Sequence, residues 1–163
     1  MTATTEAPIV VARTYRAPVE ALWDLWTTKD GFESWWGPQG FRADVQVLDG
    51  RPGGALHYDM VADAPEVVEA MKAAGRPPSH ETRGTFTEFT PHRRLVITHV
   101  IDFLPGVPPY DSTMTVEFFP LADGRVRMVV TMSPMHHPSV SQMQLEGFTS
   151  QLSKLDARFG AGA

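Results

Sequence analysis

The chain has no cysteine, which excludes disulfides, thiol nucleophiles and thiolate metal sites together. It also lacks any apolar run near the roughly 18 residues that a membrane-spanning helix needs, so no membrane insertion is expected. Residues 1–8 have neither the basic start nor the apolar stretch of a secretory leader; a soluble, cytoplasmic protein is the expectation. Positive charge is scarce. The 14 Lys and Arg stand against 19 Asp and Glu, for a net charge of -5, and no basic cluster is longer than Arg93-Arg94, so nucleic acid is not expected as a partner. A Gly-rich phosphate loop, a Gly-x-Ser-x-Gly nucleophile elbow and a His-Glu-x-x-His zinc motif are all missing. His136-His137-Pro138 invites a metal reading, yet adjacent histidines usually point apart and a metal needs three or four converging ligands. No metal and no cofactor is expected.

What is present suits one globular domain over 1–163, with its core at 9–159, large enough to fold without staples. Eight Met and four Trp supply soft and aromatic side chains that fill irregular apolar space or adapt to a ligand.

The strongest local signal is the last one. Leu145, Phe148, Leu152, Leu155 and Phe159 recur at steps of three and four, which predicts an amphipathic helix over 139–159. Beside that stripe lies a narrower strip of Val140, Met143 and Gly147, turned toward something other than the main packing surface. Either Pro138 in the first turn or Ser139 as a cap with Gln142 behind it starts the helix.

Upstream, 9–15 alternates as a strand. Pro18 and Glu20 open a helix with Leu22, Trp23 and Trp26 buried, and Thr28 caps a second short helix running to Trp36, which Gly37-Pro38 stops. Period-two patterning then predicts strands over 41–48, 55–61, 80–89, 95–103, 112–119 and 125–132. A short helix over 63–74, capped by Asp63, interrupts them. The expected inward faces carry Phe41, Ala43, Val45 and Val47; Leu56, Tyr58 and Met60; Gly84, Phe86 and Glu88; and Leu95, Ile97, His99 and Ile101. The last two strands add Ser112, Met114, Val116 and Phe118, then Val126, Met128, Val130 and Met132. A mostly antiparallel sheet of about seven strands, curled around the terminal helix, follows from this order.

Trp23, the 35–41 segment Trp-Trp-Gly-Pro-Gln-Gly-Phe, the 84–89 segment Gly-Thr-Phe-Thr-Glu-Phe with Pro91 and Arg94-Leu95 behind it, and Gly147-Phe148 with Leu152 and Leu155 together carry a resemblance. The chain resembles the family of the C-terminal domain of the activator of the ninety-kilodalton heat-shock chaperone's ATPase, in the START-like (SRPBCC, birch-pollen-allergen-like) superfamily. The resemblance runs over roughly 9–159 and implies an α+β helix-grip fold. Its order is strand, two helices, two strands, a short helix, four strands and a long helix, with a cavity between sheet and helix. It does not imply one function, since unrelated activities share a fold.

The candidate ligand-binding residues are Trp35, Trp36, Tyr58, Met60, Phe86, Glu88, His99, Met114, Met128, Met132, Met143 and Gly147. For the two tryptophans the alternatives are closure of the core and a wall of the cavity; for the methionines, a filled core and a lined pocket. His99 stands among inward apolar side chains either as a structural imidazole or, with Glu88 as its orienter, as a base. Three functions are therefore carried: binding an apolar or amphipathic small molecule, as a monomer or homodimer; a cyclase- or hydrolase-like enzyme using His99 and Glu88; and a co-chaperone or regulatory interaction module. In the binding reading, entry is expected past the 63–74 helix and the Pro-rich 104–110 loop.

Overall fold

Alternating apolar residues can bury one face of a strand only if the neighbouring strands present the same face, and this chain solves that with one sheet. The computed structural model describes residues 8–102 and 106–160. In chain order the elements are β1 (Ile9–Tyr15), α1 (Val19–Thr27), α2 (Lys29–Glu33), β2 (Phe41–Leu48), β3 (Ala55–Ala62) and α3 (Pro65–Ala73). They continue with β4 (Ser79–Thr90), β5 (Arg94–Ile101), β6 (Tyr110–Pro120), β7 (Val126–Met132) and α4 (Pro138–Phe159). The seven strands form a curved, wholly antiparallel sheet in the order β1-β7-β6-β5-β4-β3-β2. Successive strands are neighbours from β2 to β7, and β1 closes onto β7 from the other end of the sequence. Phe103, expected at the end of β5, and Leu104 and Pro105 of the loop read as a gate lie outside the described residues.

The concave face meets α4 as the helical stripe requires. Phe148, Leu152 and Leu155 are buried, and Leu145 and Phe159 pack against the same core. Trp26 and Trp35 are among the largest fully buried side chains and stand edge to face at 5.0 Å, a geometry that sets a positive ring edge on a negative ring face.

Thr28 caps α2 as expected, its Oγ1 accepting from the Gly31 N–H at 3.0 Å. The α3 cap differs from expectation, and at α4 the first of the two expected starts is the one found. Ala64 rather than Asp63 precedes α3 with no side-chain cap, and Pro65 at the first position sets the helical φ instead. At α4, Pro138 occupies the first turn and the Ser139–Gln142 box does not form: the Ser139 N–H is taken by His137 Nδ1 at 3.1 Å.

Two β-bulges change which residues face inward. In β2 one extra residue, Gln46, falls between the Val45–Tyr58 and Val47–His57 pairs, so Val47 turns out to solvent and Leu48 packs against the core. In β4 Thr87 is the extra residue between the Phe86–Ile97 and Glu88–Val96 pairs. Past each bulge the alternation inverts, because one added residue moves every later side chain to the other face.

Candidate functional site: a pocket between the sheet and the terminal helix

Where the main stripe of α4 seals the core, the narrower strip does not. Val140, Met143 and Gly147 border a pocket of about 340 Å³ whose opposite wall comes from β3 to β6. Tyr58 and Met60 of β3, Thr82 of β4, His99 of β5 and Met114 of β6 form that wall, and Trp36 and Phe148 add aromatic surface. A Cβ built on Gly147 would meet nothing within 4 Å, so the pocket owes part of its depth to a missing side chain. Of the inserted α3 segment only Arg76, beyond the helix end and exposed, reaches the lining.

A chain of hydrogen bonds stiffens the inner wall. Trp36 Nε1 donates to the Tyr58 hydroxyl at 3.0 Å, and that hydroxyl lies 3.3 Å from His99 Nε2. His99 is buried among apolar groups, which disfavours the imidazolium and pushes its pKa down to about 4. Burial likewise pushes the Tyr58 hydroxyl up, and His80 is lowered by burial and by Arg76. A close approach at Gly84 makes room for the imidazole: a Cβ there would stand 3.3 Å from His99 Cδ2.

The far end of the pocket is fastened to the bend after α2. Gln151 Oε1 accepts from the Gly37 N–H at 3.0 Å, Lys154 Nζ donates to the Gly37 carbonyl at 2.8 Å, and Ser150 Oγ accepts from the Gln39 N–H at 3.0 Å. The Trp-Trp-Gly-Pro-Gln segment therefore acts as a strap across α4. The Gly37 N–H and carbonyl and the Gln39 N–H are satisfied by helix side chains, while the Trp35 and Trp36 N–H groups bond the Phe32 carbonyl.

Of the twelve candidate residues, the pocket gathers Trp36, Tyr58, Met60, His99, Met114, Met143 and Gly147. It does not gather Trp35, Phe86, Met128 or Met132, which are packed in the core; Trp35 Nε1 donates to the Leu25 carbonyl at 2.9 Å and Trp26 Nε1 to Met128 Sδ at 3.4 Å. The Glu88 expectation is corrected outright. The bulge at Thr87 carries Glu88 to the convex face, where its carboxylate pairs with Arg94 at 2.7 Å, across the sheet from His99. Sequence reasoning missed Gln144 and Gln151, both in the lining. Their spacing from Gly147, three before and four after, was the signal, since such steps share a helix face.

A family model described as Activator of Hsp90 ATPase homolog 1-like protein matches residues 16–160. The chain belongs to this family. None of the functionally curated proteins matches it. Among solved structures, a protein of Chromobacterium violaceum is 25% identical with a TM-score of 0.73, over 94% of this chain and 96% of that one. The AHSA1 protein of Silicibacter pomeroyi is 21% identical with a TM-score of 0.73, over 93% and 96%. An HSP90 activator of Plasmodium falciparum is 16% identical with a TM-score of 0.65, over 96% and 99%. The family membership and these likenesses agree with the START-like helix-grip architecture seen in the sheet and α4. No described helix is long and apolar enough to cross a membrane.

Proposed function

We propose that the protein binds one apolar or amphipathic small molecule in the pocket between its sheet and α4. The observation that carries this reading is the unfilled strip at Gly147 facing Tyr58, His99 and Met114. Its volume of about 340 Å³ falls within the roughly 300–1,000 Å³ of small-molecule sites, which combine apolar walls with a few fixed polar groups. Exposed Arg76 supplies a charge at the rim for the polar end of an amphiphile. The test is titration with the fluorophore N-phenylnaphthylamine. Saturable binding at one site per chain supports the reading, and no saturable binding overturns it.

Catalysis by His99 and Glu88 is not proposed, because the two lie on opposite faces of the sheet and a base with a pKa near 4 is weak at neutral pH. The family description favours a second reading, contact with the heat-shock chaperone. Stimulation of the chaperone's ATPase by the purified protein, undiminished when the pocket is blocked, would favour it over ligand binding.

A further inference from the structure

With no cysteine in the chain, methionine is the side chain that can take up an oxygen atom reversibly, and the described methionines are far from equivalent. Met114, Met128 and Met132 are no more than 5% exposed. Met60 is half-buried, its sulfur 3.2 Å from where a Cβ on Gly37 would stand. In two others the sulfur already accepts a hydrogen bond: Trp26 Nε1 donates to Met128 Sδ, and the Tyr110 and Ser112 hydroxyls donate to Met135 Sδ, each at 3.7 Å. A thioether engaged in this way is a poorer nucleophile, because the same lone pairs must attack the oxidant.

Met143 differs on both counts. It is 64% exposed, more than any other large apolar side chain among the described residues, and no donor among them bonds its sulfur. Met71 is also partly accessible, but it sits on α3 outside the pocket lining. Met143 belongs to the lining and stands one turn before Gly147, where a Cβ would meet nothing within 4 Å. Its thioether is therefore open to solvent and at the edge of the space that a ligand fills.

We propose that Met143 is a reversible oxidation site at the pocket mouth, with a hydroperoxide as its oxidant, and that its sulfoxide form lowers the affinity of the pocket. This rests on the small-molecule reading above and adds its regulation. In the forward step the sulfur lone pair attacks one peroxide oxygen and the O–O bond breaks. The departing hydroxide takes the proton of the transferred oxygen and leaves as water; the sulfur loses two electrons and the peroxide gains them. In the reverse step a dithiol reductant removes the oxygen as water and becomes a disulfide. The sulfoxide is a polar acceptor that binds water. A ligand seated in the pocket displaces that water, and the Val140 and Gly147 side of the strip offers no donor in exchange, so an acceptor is left unmet.

The test treats the whole chain with hydrogen peroxide, locates the added oxygen by peptide mass mapping and titrates with N-phenylnaphthylamine. Met143 should gain oxygen ahead of Met60, Met114, Met128, Met132 and Met135, and affinity should fall about tenfold once it has done so. The two methionine sulfoxide reductases, one for each epimer, should restore it with dithiothreitol. Met143→Leu should keep whatever affinity it has through the same treatment, whereas Met71→Leu should lose affinity as the wild-type protein does. Oxidation of Met60 or Met135 ahead of Met143, unchanged affinity in protein oxidised at Met143, or an equal loss in Met143→Leu would overturn the inference while saturable binding kept the pocket reading. No binding of the probe before treatment would overturn the two together.

Discussion

At pH 7 the imidazole of His99 is neutral, because burial among apolar side chains holds its pKa near 4. The same shift makes it a liability in acid. The unfolded chain takes up its proton near pH 6.5 and the folded one only near 4, so unfolding binds protons across that window and stability falls as pH drops through it. The wild-type protein is expected to lose about 3 kcal/mol from this group between pH 6.5 and 4. His80, lowered in the same direction, adds to the loss. Urea unfolding measured at half-unit steps should show a clearly shallower pH dependence for His99→Gln; an identical slope would mean that the imidazole is solvated. Glu88 offers the opposite case. It and Arg94 are both more than two-fifths exposed, and an exposed ion pair contributes at most about 1 kcal/mol. Glu88→Gln should leave N-phenylnaphthylamine affinity unchanged and shift the urea midpoint only slightly; a large loss of binding would place the carboxylate in the site after all.

At the scale of elements, α4 does two jobs with two strips. The Phe148, Leu152 and Leu155 stripe holds the helix in the sheet, and the Val140 to Gly147 strip, with Met143 64% exposed, borders the space left beside it. Gly147→Leu should therefore raise the helix propensity of an interior position and fill the pocket. We expect thermal unfolding close to wild type or slightly higher, with probe binding reduced at least tenfold; a drop of several degrees with binding retained would put Gly147 in the packed core. Both strips were legible in the sequence, since a 3.6-residue period is written over many positions. Most strands were legible from their own period of two. The bulges at Gln46 and Thr87 were not: each is a single inserted residue with no compositional mark, and each misplaced what followed it, Val47 in one strand and Glu88 in the other. Gln144 and Gln151 escaped for a different reason. A glutamine on a helix reads as solvent-facing until the partner that draws it inward, here the Gly37 N–H 114 residues away, is known.

The whole sheet depends on one pairing that joins the two ends of the sequence. Among the described strands β1 pairs with β7 alone, with Ile9 opposite Met132 and Tyr15 opposite Val126, and the Tyr15 hydroxyl donates to Asp156 of α4 at 2.9 Å. Contacts of such long sequence separation form late and at a high cost in loop entropy. Removing residues 1–15 should expose the β7 edge and the base of α4, and abolish cooperative unfolding in circular dichroism; a sharp transition in the shortened chain would show that β1 is an appendage. At this scale the strap across α4 has an optical consequence. All four tryptophans lie within one small protein, yet Trp36 is the one that borders the pocket, and its indole N–H ends the hydrogen-bond chain through Tyr58 to His99. Trp26 and Trp35 stand 5.5 and 5.3 Å from Trp36, so a compound entering the pocket is expected to change the emission of this three-ring cluster. If the pocket takes a ligand as proposed, that emission offers a label-free way to screen unlabelled metabolites; no change with any compound that competes with N-phenylnaphthylamine would show that the cluster does not sense the pocket.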